Sequence, residues 1–334
     1  MAARVPMRGR FSRTRLTTLV GRVRAAWRLR AARTGRVSDD FESRLVWIFG
    51  SPRSGSTWLL QLLGEHEAVV PVNEPLIGQY LGPFLSDFPG AVASDLDASN
   101  FTLSRIRRDD RAHIFSAEFS DVWIPLLGKL LRGRYLAHAV RYPARVPLSR
   151  TLVVVKEPNG SQSADLIMAA LPRARLLFLL RDGRDVVDSE LAANIEGSWV
   201  TKEFPGFAGI AKEDRLAFVV QSAHKWLWRT EVVQETFEAH HGPKYLVRYE
   251  DLSRDPKNEL RSLFEWLEIT PNAHELTGWI QRHAFDQVSE AQRGPTEFFR
   301  AAQPGLWRDS LTAEEQLAVE QIIGAKLREL GYEP

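Results

Sequence analysis

There is no cysteine among the 334 residues. That absence removes disulfides, thiolate zinc sites, iron–sulfur clusters and thiol nucleophiles together, so any chemistry rests on oxygen and nitrogen groups. Long apolar runs are missing too. The longest are stretches such as Leu176 to Leu180, far below the roughly 18 residues of a membrane-spanning helix. Acidic residues are absent from the first 38 positions, which hold 11 Arg. Of the chain's 44 Lys and Arg and 42 Asp and Glu, the remainder therefore carries 33 basic against 42 acidic residues. The overall charge of +2 conceals a basic arm joined to an acidic body.

Within the arm (1–38), Leu16, Leu19, Val20, Val23, Ala26, Trp27 and Arg30 fit an amphipathic helix whose polar side is arginine. Three readings stand: a helix on an anionic membrane surface, an organelle transit peptide, or a flexible leader that only solubilises. No uninterrupted apolar segment of about 7 residues follows the first arginines, which argues against a secretory signal. The expectation is a cytoplasmic protein whose membrane contact, if any, is peripheral and made by the arm.

The body is 44% hydrophobic with 10 Trp and 17 Phe, ample for a core. Short apolar runs alternate with helical stretches, the pattern of an α/β protein with a parallel sheet. Leu45–Phe49, Leu152–Val155, Leu176–Leu180 and Tyr245–Val247 read as strands. Between Asp214 and His241 the apolar positions recur at helical spacing. Asp255-Pro256 reads as an N-cap pair, and Thr312 with Glu315 as a capping box on a last helix that closes at Gly331. The first two strands lie about 100 residues apart, too far for an ordinary crossover, so residues 75–150 should hold extra helices and loops. One domain, 39–334, is expected, with that insertion serving an acceptor.

Gly50-Ser51-Pro52-Arg53-Ser54-Gly55-Ser56-Thr57 sits between a strand and a helix, where free N–H groups and the positive helix end favour an anion. It has the length of a Walker A loop, but Ser56 stands where the lysine belongs and the nearest cation is Arg53. A phosphoryl group in flight needs that lysine and a metal. A sulfuryl group carries one charge fewer, and fixed cations and amides suffice. The competing reading is a P-loop kinase or nucleotide-binding protein with a divergent loop.

Pro52-Arg53-Ser54-Gly55-Ser56-Thr57-Trp58-Leu59 resembles the 5′-phosphosulfate loop of the sulfotransferases that use 3′-phosphoadenosine 5′-phosphosulfate (PAPS). A second element is similar to the same family: Arg181 at a strand end and Ser189 eight residues later match its 3′-phosphate motif. Trp58 stands where the family places an aromatic face for adenine, Tyr249 in Arg248-Tyr249-Glu250-Asp251-Leu252 resembles a residue near that base, and Arg293-Gly294 with Gly305-Leu306-Trp307-Arg308 resembles the segment closing over the nucleotide. The resemblance spans most of residues 45–310. It implies a three-layer P-loop fold, PAPS as cosubstrate, no metal ion, and nucleotide contacts from Arg53, Ser54, Gly55, Ser56, Thr57, Trp58, Arg181, Ser189, Tyr249, Arg293 and Gly294.

Sulfuryl transfer to an alcohol needs a base for the acceptor proton and cations for the departing oxygen. The resemblance puts Lys156, at the end of Val153-Val154-Val155-Lys156, on the sulfuryl group with Arg53 opposite. No histidine follows that lysine, unlike in the small-molecule members; Glu157 and Pro158 do. Glu74 in Val72-Asn73-Glu74-Pro75 resembles the glutamate base of tyrosyl-protein and some carbohydrate sulfotransferases, with Glu157 as the alternative base. The plain alternatives are that Glu74 caps a helix and that Glu157 pairs with Lys156. His240-His241 decorates a helix end, and no metal-ligand spacing stands out. Residues 76–147 and 194–213 should form the acceptor wall, with Tyr80, Phe84, Phe88, Trp123, Tyr135 and Tyr142 as its aromatics. The glutamate pattern tilts the acceptor toward a carbohydrate or glycolipid hydroxyl, and no nucleic-acid partner is expected.

Overall fold

A computed structural model describes residues 39–81, 115–204, 206–301 and 303–333. The basic arm, and residues 82–114 of the expected insertion with Phe84 and Phe88, lie outside the described residues.

The apolar runs become a five-stranded, all-parallel sheet: β1 (Leu45–Phe49), β2 (Val69–Asn73), β3 (Leu152–Lys156), β4 (Arg175–Leu180) and β5 (Lys244–Arg248), in the order β2-β3-β1-β4-β5. Every residue of β1, β3 and β4 is buried, which is why these strands read as continuous apolar runs rather than as alternation. β2 escaped the sequence reading because Pro71 interrupts Val69-Val70-Pro71-Val72. It lies at the sheet edge, where a missing N–H does no harm. The long gap between the first two recognised strands thus contains a strand as well as helices.

The helices are α1 (Ser56–Gly64), α2 (Ile77–Leu81), α3 (Ser120–Arg141), α4 (Ala164–Ala170), α5 (Gly183–Asn194), α6 (Trp199–Glu203), α7 (Arg215–Ala239), α8 (Tyr249–Arg254), α9 (Pro256–Trp266), α10 (Ala273–Arg282), α11 (Trp307–Ser310) and α12 (Ala313–Glu329). On one sheet face Val46, Ile48, Val154 and Leu177 meet Leu59 and Leu62 of α1, Leu263 and Phe264 of α9 and Trp279 of α10. On the other, Trp47, Phe49, Val155 and Phe178 meet Trp226 of α7, Val187 of α5, Ile167 of α4 and Ile323 of α12. These are the three layers expected of the α/β class. Trp123 and Tyr135 of α3 belong to this second core rather than to an acceptor wall.

The helix signals hold. Asp255 accepts from the Asn258 N–H, Thr312 and Glu315 form the capping box, and the last helix is closed by the Gly331 N–H on the Arg328 carbonyl. The sheet register then decides where function can sit. Lys156 is level with Ile48 of β1 and with Asn73 of β2, so Glu74 and the loop after β1 emerge beside Lys156. Leu180 is level with Arg248, so Arg181 and Tyr249 emerge side by side. All leave the carboxyl edge of the sheet, flanking the central strand from which connections run to both sides.

Candidate active site

The loop after β1 turns on glycine. Gly55, with φ 82, is the N-cap of α1, and a Cβ there would stand 2.5 Å from the Tyr249 ring. The Ser161 hydroxyl brackets the start of the turn, accepting from the Gly50 N–H at 3.0 Å and lying 2.8 Å from its carbonyl. The loop backbone is therefore fixed where α1 offers its free N–H groups to an anion. Ser54 Oγ is buried there without a partner. An orphaned hydroxyl inside a preorganised turn fits a ligand with oxygen acceptors.

Lys156 is the junction of the first cluster. Its Nζ lies 2.8 Å from Thr57 Oγ1 and 2.6 Å from Glu74 Oε1. Glu74 Oε2 accepts from Asn159 Nδ2 at 2.9 Å, and the Glu74 N–H donates to the Lys156 carbonyl at 2.9 Å. Both carboxylate oxygens are thus engaged while the side chain keeps 30% exposure. Lys156 pairs with Glu74, not with Glu157.

Glu157 is fully buried, at 0% exposure. Burial pushes its carboxyl up to about 8, against the backbone N–H groups of Gly78, Ile77 and Leu76 that face it without closing a full hydrogen bond. A Cβ on Gly160 would strike Glu157 Oε1 at 2.2 Å. This carboxyl supports the turn beneath α2, sealed from the surface.

The second cluster joins the two sequence motifs. Arg53 Nε donates to Ser189 Oγ at 3.1 Å, and Arg181 donates to the Arg53 carbonyl at 2.7 Å. The Arg53 guanidinium lies 5.1 Å from the Phe298 ring centre and 5.9 Å from that of Trp199, and donates to the Phe298 carbonyl at 3.0 Å. Burial, with Arg181 adding like charge, pushes Arg53 down to about 10, so it remains a cation at neutral pH. The Arg181 guanidinium stacks 4.3 Å from the Tyr249 ring centre, and its Nε is buried without a partner. Trp58 meets Tyr249 edge-on at 6.4 Å. Two guanidinium groups, a serine hydroxyl and two aromatic rings therefore surround the loop, and the unsatisfied Nε and Oγ fit a phosphate-bearing nucleotide.

Arg293 is not brought into this cluster. It donates to the Asp286 carbonyl at 3.2 Å and approaches Glu290, while Gly294 pairs with the Phe299 carbonyl. Nearby residues arrive in their place: the Phe298 carbonyl on Arg53, and Arg300, which bonds Asp188 of α5 together with Ser310. Asp185 accepts the Gly305 N–H at 2.8 Å, so α5 carries Ser189 and also latches the 293–310 segment. Asn159, Trp199, Phe298, Asp185 and Asp188 were absent from the sequence reading. Only the two aspartates left a signal, as an i, i+3 acid pair four and seven residues after Arg181. His240 is structural, its Nε2 at 2.8 Å from the Ala174 carbonyl at the end of α7.

A cleft of about 700 Å³ opens beside Thr57 and Asn73, between α1 at Gln61 and β2 at Pro71, with Pro143 and Arg145 on its far wall. It gives Thr57 access from solvent on the edge-strand side.

Comparison with known proteins bears on this arrangement. Human carbohydrate sulfotransferase 6 is 25% identical over 336 residues, covering 86% of this chain and 80% of that protein. An uncharacterized protein of Aquifex aeolicus is 23% identical over 237 residues, 68% of this chain; the chain spans only 26% of that longer relative. Among solved structures, mouse sulfotransferase SULT7A1 complexed with PAP is 11% identical, with a TM-score of 0.49 over 86% of this chain and 85% of its own. The sulfotransferase domain of the Synechococcus PCC 7002 olefin synthase is 17% identical, with a TM-score of 0.46 over 87% and 95%. The sulfotransferase family model matches residues 46–273, which include the first cluster and all of the second except Phe298, and the chain belongs to the sulfotransferase family.

Proposed function

We propose that this protein moves a sulfuryl group from PAPS to a hydroxyl of a carbohydrate or glycolipid acceptor, without a metal ion. The observation that carries the reading is the meeting, at one sheet edge, of an anion-cradling loop lacking the Walker lysine with the Lys156–Glu74 pair. In this reading Glu74 takes the acceptor's proton, the acceptor oxygen attacks sulfur, and the bond from sulfur to the phosphate oxygen breaks, leaving 3′-phosphoadenosine 5′-phosphate (PAP). Lys156 and Arg53 offset the charge gathering on the departing oxygen. Lys156 Nζ lies 2.6 Å from Glu74 Oε1. A sulfuryl group beside Thr57 would offer the lysine another anion and leave a Glu74 lone pair for the proton.

Arg181 and Ser189 are assigned to the 3′-phosphate, Ser54 to Thr57 to the 5′ end, and Trp58 and Tyr249 to adenine; closure over the nucleotide is assigned to the 293–310 segment through Phe298 and Gly305, which meet Arg53 and Asp185, with Arg293 and Gly294 outside that contact. The carbohydrate half of the proposal rests on the context of Glu74 and on the name of the human relative. A cytoplasmic location with peripheral membrane contact completes it.

Calorimetry tests the donor before any acceptor is known. A charge-assisted hydrogen bond is worth about 1.5–3 kcal/mol, so PAP should bind at least tenfold more tightly than ADP or ATP, independently of magnesium. Arg181→Ala should erase most of that preference. Tight, magnesium-dependent ATP binding would overturn the proposal in favour of a kinase.

A further inference from the structure

Helix α3 is apolar on two sides. Trp123, Leu127, Leu131 and Tyr135 face the core. A second row, Phe119, Val122, Leu126 and Leu130, faces solvent with exposures of 48%, 56%, 58% and 66%. Spacings of three and four residues place these side chains along one line of the helix, and Gly133 and Ala137 continue it without bulk. Scattered exposed leucines need no explanation, but a continuous row on a helix already packed along its other side marks a surface with a second apolar neighbour.

Two exposed acids, Glu118 and Asp121, sit at the amino end of the row, and beyond them the charges bordering it are basic. Exposed Lys129, Arg134 and Arg141 border it, and α3 contains four Lys or Arg against one acid, Asp121, near its amino end. The row runs toward Tyr142, 57% exposed, and then reaches Pro143 and Arg145 on the wall of the cleft beside Thr57.

We propose that this face of α3 docks on an anionic membrane surface, its apolar row entering the headgroup boundary and its bordering cations resting at the level of the lipid phosphates. That arrangement is the one amphipathic interfacial helices adopt, with apolar residues inward and Lys and Arg alongside. From Val122 to Ala137 the row is roughly 22 Å long and about 10 Å wide, on the order of 200–300 Å². A stable dimer needs about 800 Å² from each partner, so a second copy would leave most of its interface unaccounted for. The 11 arginines of the first 38 residues add charge of the same sign. Docking so oriented presents the cleft rim to the lipid, which makes the acceptor a membrane-borne hydroxyl; this last clause rests on the sulfotransferase reading, whereas the docking does not.

The test is sedimentation of the full chain with vesicles of phosphatidylcholine and phosphatidylglycerol (3:1) and with phosphatidylcholine alone. The protein should partition onto the anionic vesicles. Leu126→Glu with Leu130→Glu should weaken that partition at least tenfold while the melting temperature and PAP affinity stay unchanged. The arm is present in every variant, so it cannot create the difference. Four results overturn the proposal: no partition of the wild type, equal partition of the variant, a wild-type dimer that the variant dissolves, or a fall in melting temperature with no effect on vesicles, which would assign the row to cover by residues 82–114. Should the glutamate variant fail to fold, Lys129→Ser, Arg134→Ser and Arg141→Ser together decide, and unchanged partition onto anionic vesicles overturns the proposal. Failure of PAP binding with docking intact would sink only the functional reading.

Discussion

Replacing Glu157 by glutamine isolates a single buried proton. The carboxyl is fully buried, and burial pushes it up to about 8, whereas a glutamate in the unfolded chain titrates near 4.3. Between those values the native state keeps a proton that the unfolded chain has released. Because the unfolded state then binds fewer protons, stability falls as pH rises through this window; the contribution is complete below about 4.5 and gone above about 8. At about 1.4 kcal/mol per pH unit the whole window is bounded at about 5 kcal/mol, and relaxation around the carboxylate lowers this to about 2–4 kcal/mol. Urea unfolding of the wild type and Glu157→Gln at pH 5, 6, 7, 8 and 9 measures it directly, since every other titrating group cancels in the difference. The variant should gain on the wild type steadily between pH 5 and 8 and level off beyond. A difference that is flat with pH would refute the reasoning, because Glu157 would then ionise in the folded state as it does in the unfolded one. Turnover should change by no more than a few-fold, the carboxyl being sealed from any acceptor. A loss of about 100-fold or more, the size expected for a general base, would transfer the base from Glu74 to Glu157.

Glu74→Gln should lower kcat by about 10²- to 10⁴-fold while PAP affinity, measured by calorimetry, stays within about twofold. Activity retained in that variant would remove Glu74 from the reaction. Asn159→Ala takes away the donor 2.9 Å from Glu74 Oε2, so the carboxylate is held in place less firmly and kcat should fall about fivefold to tenfold while PAP affinity stays within about twofold. An unchanged kcat would leave Asn159 a packing role only.

How much of this was legible in the sequence follows burial. β1, β3 and β4 are buried on both faces, so their apolar runs announced them and the parallel sheet followed. β2 has one wet face and a central proline, and local composition disguised it. Glu74 was still found, because its context resembled a known pattern, but that it leads directly out of a strand level with Lys156 was visible only in the register. Arg53, Arg181, Ser189 and Tyr249, the residues proposed for the nucleotide, meet in one cluster, and they were legible because their motifs are local. Trp199, Phe298 and Asn159 were not. Each meets its partner across the fold, Phe298 reaching Arg53 over 245 positions and Asn159 reaching Glu74 over 85, and a side chain whose role is to hold another leaves no spacing rule in its own neighbourhood.

The backbone adds an argument that composition could not. Arg53 and Glu74, the two residues assigned to opposite sides of the transferred group, both hold left-handed conformations, with φ of 65° and 41°. For a residue with a Cβ that region costs about 1–2 kcal/mol, and a sequence under no other demand would place glycine or asparagine there. The strain is sustained because each turn is fixed on several sides: Arg53 through Ser189, the Phe298 carbonyl and the Arg181 guanidinium on its own carbonyl, Glu74 through its N–H on the Lys156 carbonyl and its two oxygens on Lys156 and Asn159. Glycine at either position would relieve the backbone and remove the charge. Leu76 and Glu268 share that conformation outside the two clusters, so the backbone alone does not mark the site; at Arg53 and Glu74 it coincides with charged side chains fixed by several partners, an arrangement consistent with both groups being held for a ligand.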